Sequence, residues 1–137
     1  MKKTNVNCKI ISTLILLTIC SLTPIFSAEL TVFELQDIIH ENILAYKDTY
    51  DNKKIRLTGF VYSVDEHGDN YAINFETKDL FNISIYCLLN EKSLSKASKL
   101  KKGTKVSVEG IAIYSNGMPF RDVTLQDCTL LSANKKD

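Results

Sequence analysis

Few residues of this chain have a spacing that could carry chemistry. His40-Glu41 lacks the second histidine, four positions on, that a zinc-protease helix needs, and His67 stands alone beside Gly68-Asp69-Asn70. Asp65, Glu66 and Asp69 bring three carboxylates around one glycine, which reads as solvated turn chemistry ahead of a calcium site. No nucleophile elbow, phosphate loop or dinucleotide fingerprint occurs. Binding chemistry is better represented. Phe60, Tyr62, Tyr86, Tyr114 and Phe120 offer ring faces that stack on bases or sugars, with Arg56, Asn74 and Arg121 as polar neighbours. This set implies binding without catalysis, and no metal or cofactor is expected. Packing of the same rings beneath a helix is the competing reading.

Those side chains must be carried by strands. Ile55, Leu57 and Val61 alternate with Arg56, Thr58, Phe60 and Tyr62, which predicts a first strand near 53–64, with Gly59 at a bend or bulge. His67-Gly68-Asp69-Asn70 is a turn, after which Tyr71, Ile73 and Phe75 are expected inward on a second strand. Phe81, Ile83, Ile85 and Cys87 are expected inward on a third. Between Asn90 and Gly103 the period lengthens to that of a helix, through Leu94, Ala97 and Leu100. Val106 and Val108 then mark a fourth strand near 105–113, and Asn116-Gly117 a reversal into a fifth near 120–131. On that last strand Val123 and Leu125 are out of phase with Cys128 and Leu130, so a bulge near Gln126-Asp127 is expected. The order β-β-β-α-β-β predicts a mainly β, five-stranded OB-fold Greek-key barrel with its helix between strands three and four. Such a barrel places a ligand on the outer face of strands two and three and on the loops after strands one and four, which selects the eight residues named above.

Upstream, Thr31 and Glu34 have capping-box spacing, and Phe33, Leu35, Ile38, Ile39, Ile43 and Tyr46 form an apolar stripe, predicting one amphipathic helix over 31–48. Before it, Lys2, Lys3 and Lys9 precede an apolar run from Ile10 to Cys20, the layout of a signal peptide over 1–28 cleaved after Ser27 or Ala28. Lipid anchoring at Cys20 is the weaker alternative, because Ile19 precedes that cysteine where a small residue is preferred. The chain is therefore expected to be exported, periplasmic or secreted, with no transmembrane segment after cleavage. Residues 29–133 form one domain and 134–137 a polar tail. Without residues 1–28 the chain carries 14 basic and 16 acidic side chains, no overall footprint of a nucleic-acid binder. Local lysines at 96, 99, 101, 102 and 105 read first as a solvated helix face.

In these segments the chain resembles the tRNA_anti-like family of small exported or lipoprotein-type bacterial OB-fold proteins. The resemblance spans roughly Leu35 to Leu131. It is carried by Glu41-Asn42 and Ala45, by Tyr50 and Lys54 before Ile55-Arg56-Leu57-Thr58-Gly59, and by Ile85-Tyr86-Cys87. Leu100-Lys101-Lys102-Gly103, Val106-Ser107-Val108-Glu109-Gly110 and Val123-Thr124-Leu125-Gln126-Asp127-Cys128 complete it. The chain departs from the family in its poor lipobox and in having no cysteine near Ala112. The resemblance implies an OB fold in the cell envelope. Cys87 and Cys128 would lie on neighbouring strands of such a barrel, and in an oxidising compartment a disulfide between them is expected, contributing roughly 4 kcal/mol. Two buried free thiols are the alternative.

The functional expectation is a non-catalytic binding module of the bacterial envelope whose ligand is a protein, peptide or oligosaccharide. A single-stranded or tRNA-like nucleic acid is the alternative, which the net charge does not favour.

Overall fold

Alternating apolar residues give each strand one buried face, and closing the sheet on itself buries those faces together. The computed structural model describes residues 28–78, 82–117 and 119–134. Its elements are β1 (Ala28–Thr31), α1 (Val32–Glu41), α2 (Ile43–Thr49), β2 (Lys54–His67), β3 (Asn70–Phe75), β4 (Ile83–Leu89), α3 (Glu91–Ala97), β5 (Lys105–Gly117) and β6 (Phe120–Asn134). Strands β2 to β6 close a five-stranded barrel. The β2–β3, β3–β4, β5–β6 and β2–β5 pairs are antiparallel and β4–β6 is parallel. This is the OB architecture the pattern predicts. Its centre is filled by Leu57, Ile73, Ile85, Val108 and Leu125, all buried.

The long first barrel strand serves both halves of the barrel. Lys54–Phe60 pairs with β5, and from Val61 onward β2 pairs with β3. Gly59 sits at the changeover, where a Cβ would lie 2.5 Å from Val32 Cγ2 and 2.9 Å from Phe75 Cδ1. Glycine is thus required by the close approach of α1. On β6 the expected bulge is present: Ile111 faces Gln126 but Glu109 faces Thr129, and Asp127 adopts a φ of 50°. The extra residue turns Cys128 and Leu130 inward along with Val123 and Leu125.

Several expectations need correction. The helix predicted over 31–48 is two helices, because Asn42 leaves helical geometry and its Oδ1 accepts the Ala45 N–H at 3.1 Å, capping α2. The pattern gave no sign of β1, which pairs in parallel with Ile55–Thr58 on the edge that β5 does not use. Tyr71 is exposed, because adjacent Ala72 and Ile73 are both buried and break the alternation on β3. The second helical segment ends at Ala97, and turns carry the chain to Gly103, whose φ is +83°. Cys87 and Cys128 are buried free thiols. The register explains why they are unbonded: Cys87 faces Leu125 and Cys128 faces Leu89, so they meet only diagonally. Residues 1–27, which hold Cys20 and nearly all of the segment expected to be a signal peptide, lie outside the described residues, as do Phe81 and residues 135–137.

The helices close opposite ends of the barrel. The capping box at Thr31 and Glu34 starts α1, which inserts Val32, Leu35 and Ile39 into the core. Buried Gln36 fastens it, donating to the Ile83 carbonyl at 3.0 Å and accepting the Lys78 N–H at 2.8 Å. At the other end Asn90 caps α3, and Ser93 Oγ accepts the Leu130 N–H at 2.9 Å.

Candidate functional site

The changeover on β2 also sets the phase of its outer face. The register slips between Val61 and Ser63, leaving Tyr62 outside the pairing, so that Ser63, Asn74 and Tyr86 stand in one row across β2, β3 and β4. Thr124 on β6 extends the row. Asn74 Nδ2 donates to Ser63 Oγ at 3.1 Å and to Asp65 Oδ2 at 2.8 Å, and Ser63 Oγ donates to the same carboxylate. These bonds use the amide nitrogen of Asn74 and leave its Oδ1 for a ligand donor. Beside them Tyr62 is 55% exposed, with Lys102 Nζ 4.3 Å from its ring centre. Tyr62, Ser63, Asp65, Asn74, Glu76, Thr77, Ser84 and Lys102 border an open cleft of about 680 Å³. A ring face, an amide, hydroxyls and carboxylates together can hold a polar ligand through hydrogen bonds and stacking. Among the described residues, no three His, Cys, Asp or Glu side chains gather as metal ligands would.

The residues selected from sequence divide between this cleft and other places. Tyr62 and Asn74 meet in the cleft. Tyr86 is adjacent by register, but its ring packs against His67, with centroids 4.8 Å apart. Phe60 lies beyond the bend, lining a small cavity with Val32, Phe33 and Lys105. Arg56 points away on the β2–β5 side and pairs with Glu109 at 3.2 Å, as Lys54 does at 3.1 Å. Tyr114 packs against Tyr46 at 5.9 Å under α2, beneath Lys47, and its N–H donates to Asp51 Oδ1. Here the competing reading, an aromatic packed below a helix, describes the geometry. Phe120 is 59% exposed and opens β6 with Arg121, whose register partner is Ile83, the residue before Ser84 of the cleft.

Ser63, Glu76, Thr77 and Ser84 are cleft residues that local patterning does not single out, and Asp65 and Lys102, which read from sequence as turn chemistry and as part of a solvated helix face, join them there. Extending the first strand past Val64 would have shown Ser63, Asp65 and His67 alternating outward. The slip at Tyr62 conceals that phase. Lys102 reaches the cleft from the loop after α3, beyond the reach of local patterning.

The Cys128 thiol adds no reactivity. Burial above all, then the hydrogen bond with Cys87, pushes the Cys128 thiol far above its ordinary range, so it stays protonated and inert at neutral pH. Burial likewise raises Tyr46, whose hydroxyl has no hydrogen-bond partner among the described residues.

This chain is similar to several solved structures. Asparaginyl-tRNA synthetase from Pyrococcus horikoshii aligns over 61% of this chain and 20% of its own, with 25% identity and a TM-score of 0.45. An OBody, NL8, solved bound to hen egg-white lysozyme, aligns over 61% of this chain and all of its own, with 13% identity and a TM-score of 0.45. A putative aspartyl-tRNA synthetase from Leishmania major Friedlin aligns over 93% of this chain and 27% of its own, with 9% identity and a TM-score of 0.51. The chain thus spans about a fifth to a quarter of the length of these synthetases. No curated protein matches it. The tRNA_anti-like family model matches residues 3–129, nearly the whole sequence, and with the closed five-stranded barrel this makes the chain a member of the tRNA_anti-like family of OB-fold domains.

Proposed function

We propose that this protein is a non-catalytic OB-fold binding module exported to the bacterial cell envelope, and that its principal ligand is an uncharged oligosaccharide seated in the Tyr62–Asn74 cleft. The observation that carries this reading is the Ser63–Asp65–Asn74 array beside an exposed tyrosine ring. Sugars are bound by that combination of fixed polar partners and an aromatic face. Asp65 and Glu76 border the cleft, so a phosphate backbone entering it would meet carboxylates, which argues against a nucleic-acid strand there. A protein or peptide ligand fits the cleft less well, since apolar anchors that would dominate such an interface are few. Export rests on Lys2, Lys3 and Lys9 followed by the apolar run to Cys20.

Calorimetric titration with tetra-N-acetylchitotetraose tests the ligand class. Binding is expected, weakened at least tenfold by Asn74→Ala and by Tyr62→Ala; the exposed Tyr62 ring leaves the melting temperature unchanged when removed, whereas Asn74→Ala also gives up its bonds to Ser63 and Asp65 and lowers it slightly. Absence of sugar binding would reject this reading. Binding of a labelled dT12 oligonucleotide that falls steeply with salt and is weakened by Tyr62→Ala would establish the nucleic-acid alternative in its place.

A further inference from the structure

β2 and β6 are each longer than some of their barrel pairings. β2 pairs with β5 only from Lys54 to Phe60 and with β3 only from Val61 to His67, and β1 covers the edge along Ile55–Thr58. On β6 one half-edge is open. β4 accompanies β6 only from Arg121 to Cys128, and Ser93 Oγ accepts the next free N–H, that of Leu130. From Ser132 to Asn134, after a register shift at Leu131, β6 pairs with β5 on one side, and no strand among the described residues pairs with it on the other.

Facing this edge runs the chain from Ser95 to Thr104, and the two walls enclose an open groove of about 1200 Å³. Lys96, Lys99, Lys101 and Lys102 line it, and no acidic residue does. None of the four forms an ion pair among the described residues. The charge is strongly segregated: residues 91–105 hold six lysines and one glutamate, whereas the rest of the chain from Ala28 onward holds eight basic and fifteen acidic side chains. Leu131, 42% exposed, contributes an apolar stretch to the same groove.

An unpaired strand edge offers backbone hydrogen bonds to another extended chain, and lysines beside it repel a like-charged copy while attracting carboxylates. We propose that this edge docks an acidic, extended segment of a partner protein, which adds a strand beside Leu131–Asn134 and sets its carboxylates against the four lysines. The concave shape suits a single extended chain and does not suit a flat lipid surface. This site is separate from the oligosaccharide cleft and does not depend on it, although Lys102 borders both.

Fluorescence anisotropy with a labelled octapeptide of alternating Glu and Val tests the proposal on the purified protein. The peptide is expected to bind, and to bind at least tenfold more weakly to Lys99→Ser/Lys101→Ser, whose exposed positions leave the melting temperature unchanged. A Glu-Pro octapeptide of the same charge, which lacks half the strand N–H groups, is expected to bind at least tenfold more weakly than the Glu-Val peptide. Asn74→Ala is expected to have no effect. Equal binding of the two peptides, no binding of either, or indifference to the lysine substitutions would overturn the proposal. So would a dimer seen by light scattering that excludes the peptide, since a second copy would then occupy the edge.

Discussion

β2 and β6 solve the same geometric problem in opposite ways. Each is a long strand shared between the two halves of a small barrel, and each must change direction along its length. β2 turns at a glycine pressed by α1 and covers its vacant edge with β1. β6 turns at a bulge opposite a glycine pressed by a thiol and a carbonyl, and its last four residues keep one edge without a strand neighbour. This fold uses its backbone for stability in one place and leaves backbone available for recognition in another. Along Ile55–Thr58 of β2, free groups are consumed by the chain itself. At the end of β6 they face a lysine-lined groove.

The two glycines give the widest contrast. A Cβ at Gly110 would lie 2.7 Å from Cys128 Sγ and 2.8 Å from the Gln126 carbonyl, and neither can move without opening the bulge. Gly110→Ala is expected to cost about 3 kcal/mol in chemical denaturation. At Gly59 the obstacles are side chains of α1 and β3, which can shift with the helix, so Gly59→Ala is expected to cost less, about 2 kcal/mol. The reverse order would show that the bulge on β6 yields more easily than the packing of α1 on β2. Thr31→Ala removes the cap that joins β1 to α1 and should cost about 1 kcal/mol. Tyr46→Phe should instead raise stability by up to about 1 kcal/mol, because it deletes a buried hydroxyl that has no partner. At the open edge Leu131→Ser should change stability by less than about 0.5 kcal/mol while lowering affinity for the acidic peptide.

The capping box adds a pH dependence confined to the β2 side. Backbone and side-chain hydrogen bonds from Thr31 lower the Glu34 pKa below its ordinary 4.5. A lowered folded-state value means that the contribution of Glu34 is present above 4.5 and is lost as pH falls through that lower value. Protection factors of the Thr31 and Glu34 amides, with the intrinsic pH dependence of exchange divided out, should therefore stay level from pH 5 to 8 and fall under acid conditions, while those of Leu131–Asn134 show no such change.

Where alternation was regular, the fold was legible in the sequence. Ile55-Leu57-Val61, Ile83-Ile85-Cys87 and Val106-Val108 are all buried on their strands, and even the bulge at Asp127 was signalled by the phase change from Leu125 to Cys128. What escaped were features that depend on a distant partner. Ala28–Thr31 is a strand only because β2 has an edge to fill, and a four-residue stretch carries no period of its own. Asn42 breaks the leading helix through a hydrogen bond that an unbroken apolar stripe hides. The cleft was legible in part. Tyr62 and Asn74 are there, but Arg56 is held by Glu109 and Tyr114 by Tyr46, pairings across 53 and 68 positions that no local pattern displays.

Chemical-shift mapping on isotope-labelled protein during titration with tetra-N-acetylchitotetraose tests the central claim most directly. Saturable shifts are expected, confined to Tyr62–Asp65, Asn74–Thr77 and Ser84, with the amides of Leu131–Asn134 unmoved. Shifts that avoid the cleft, or none at millimolar sugar, would contradict it.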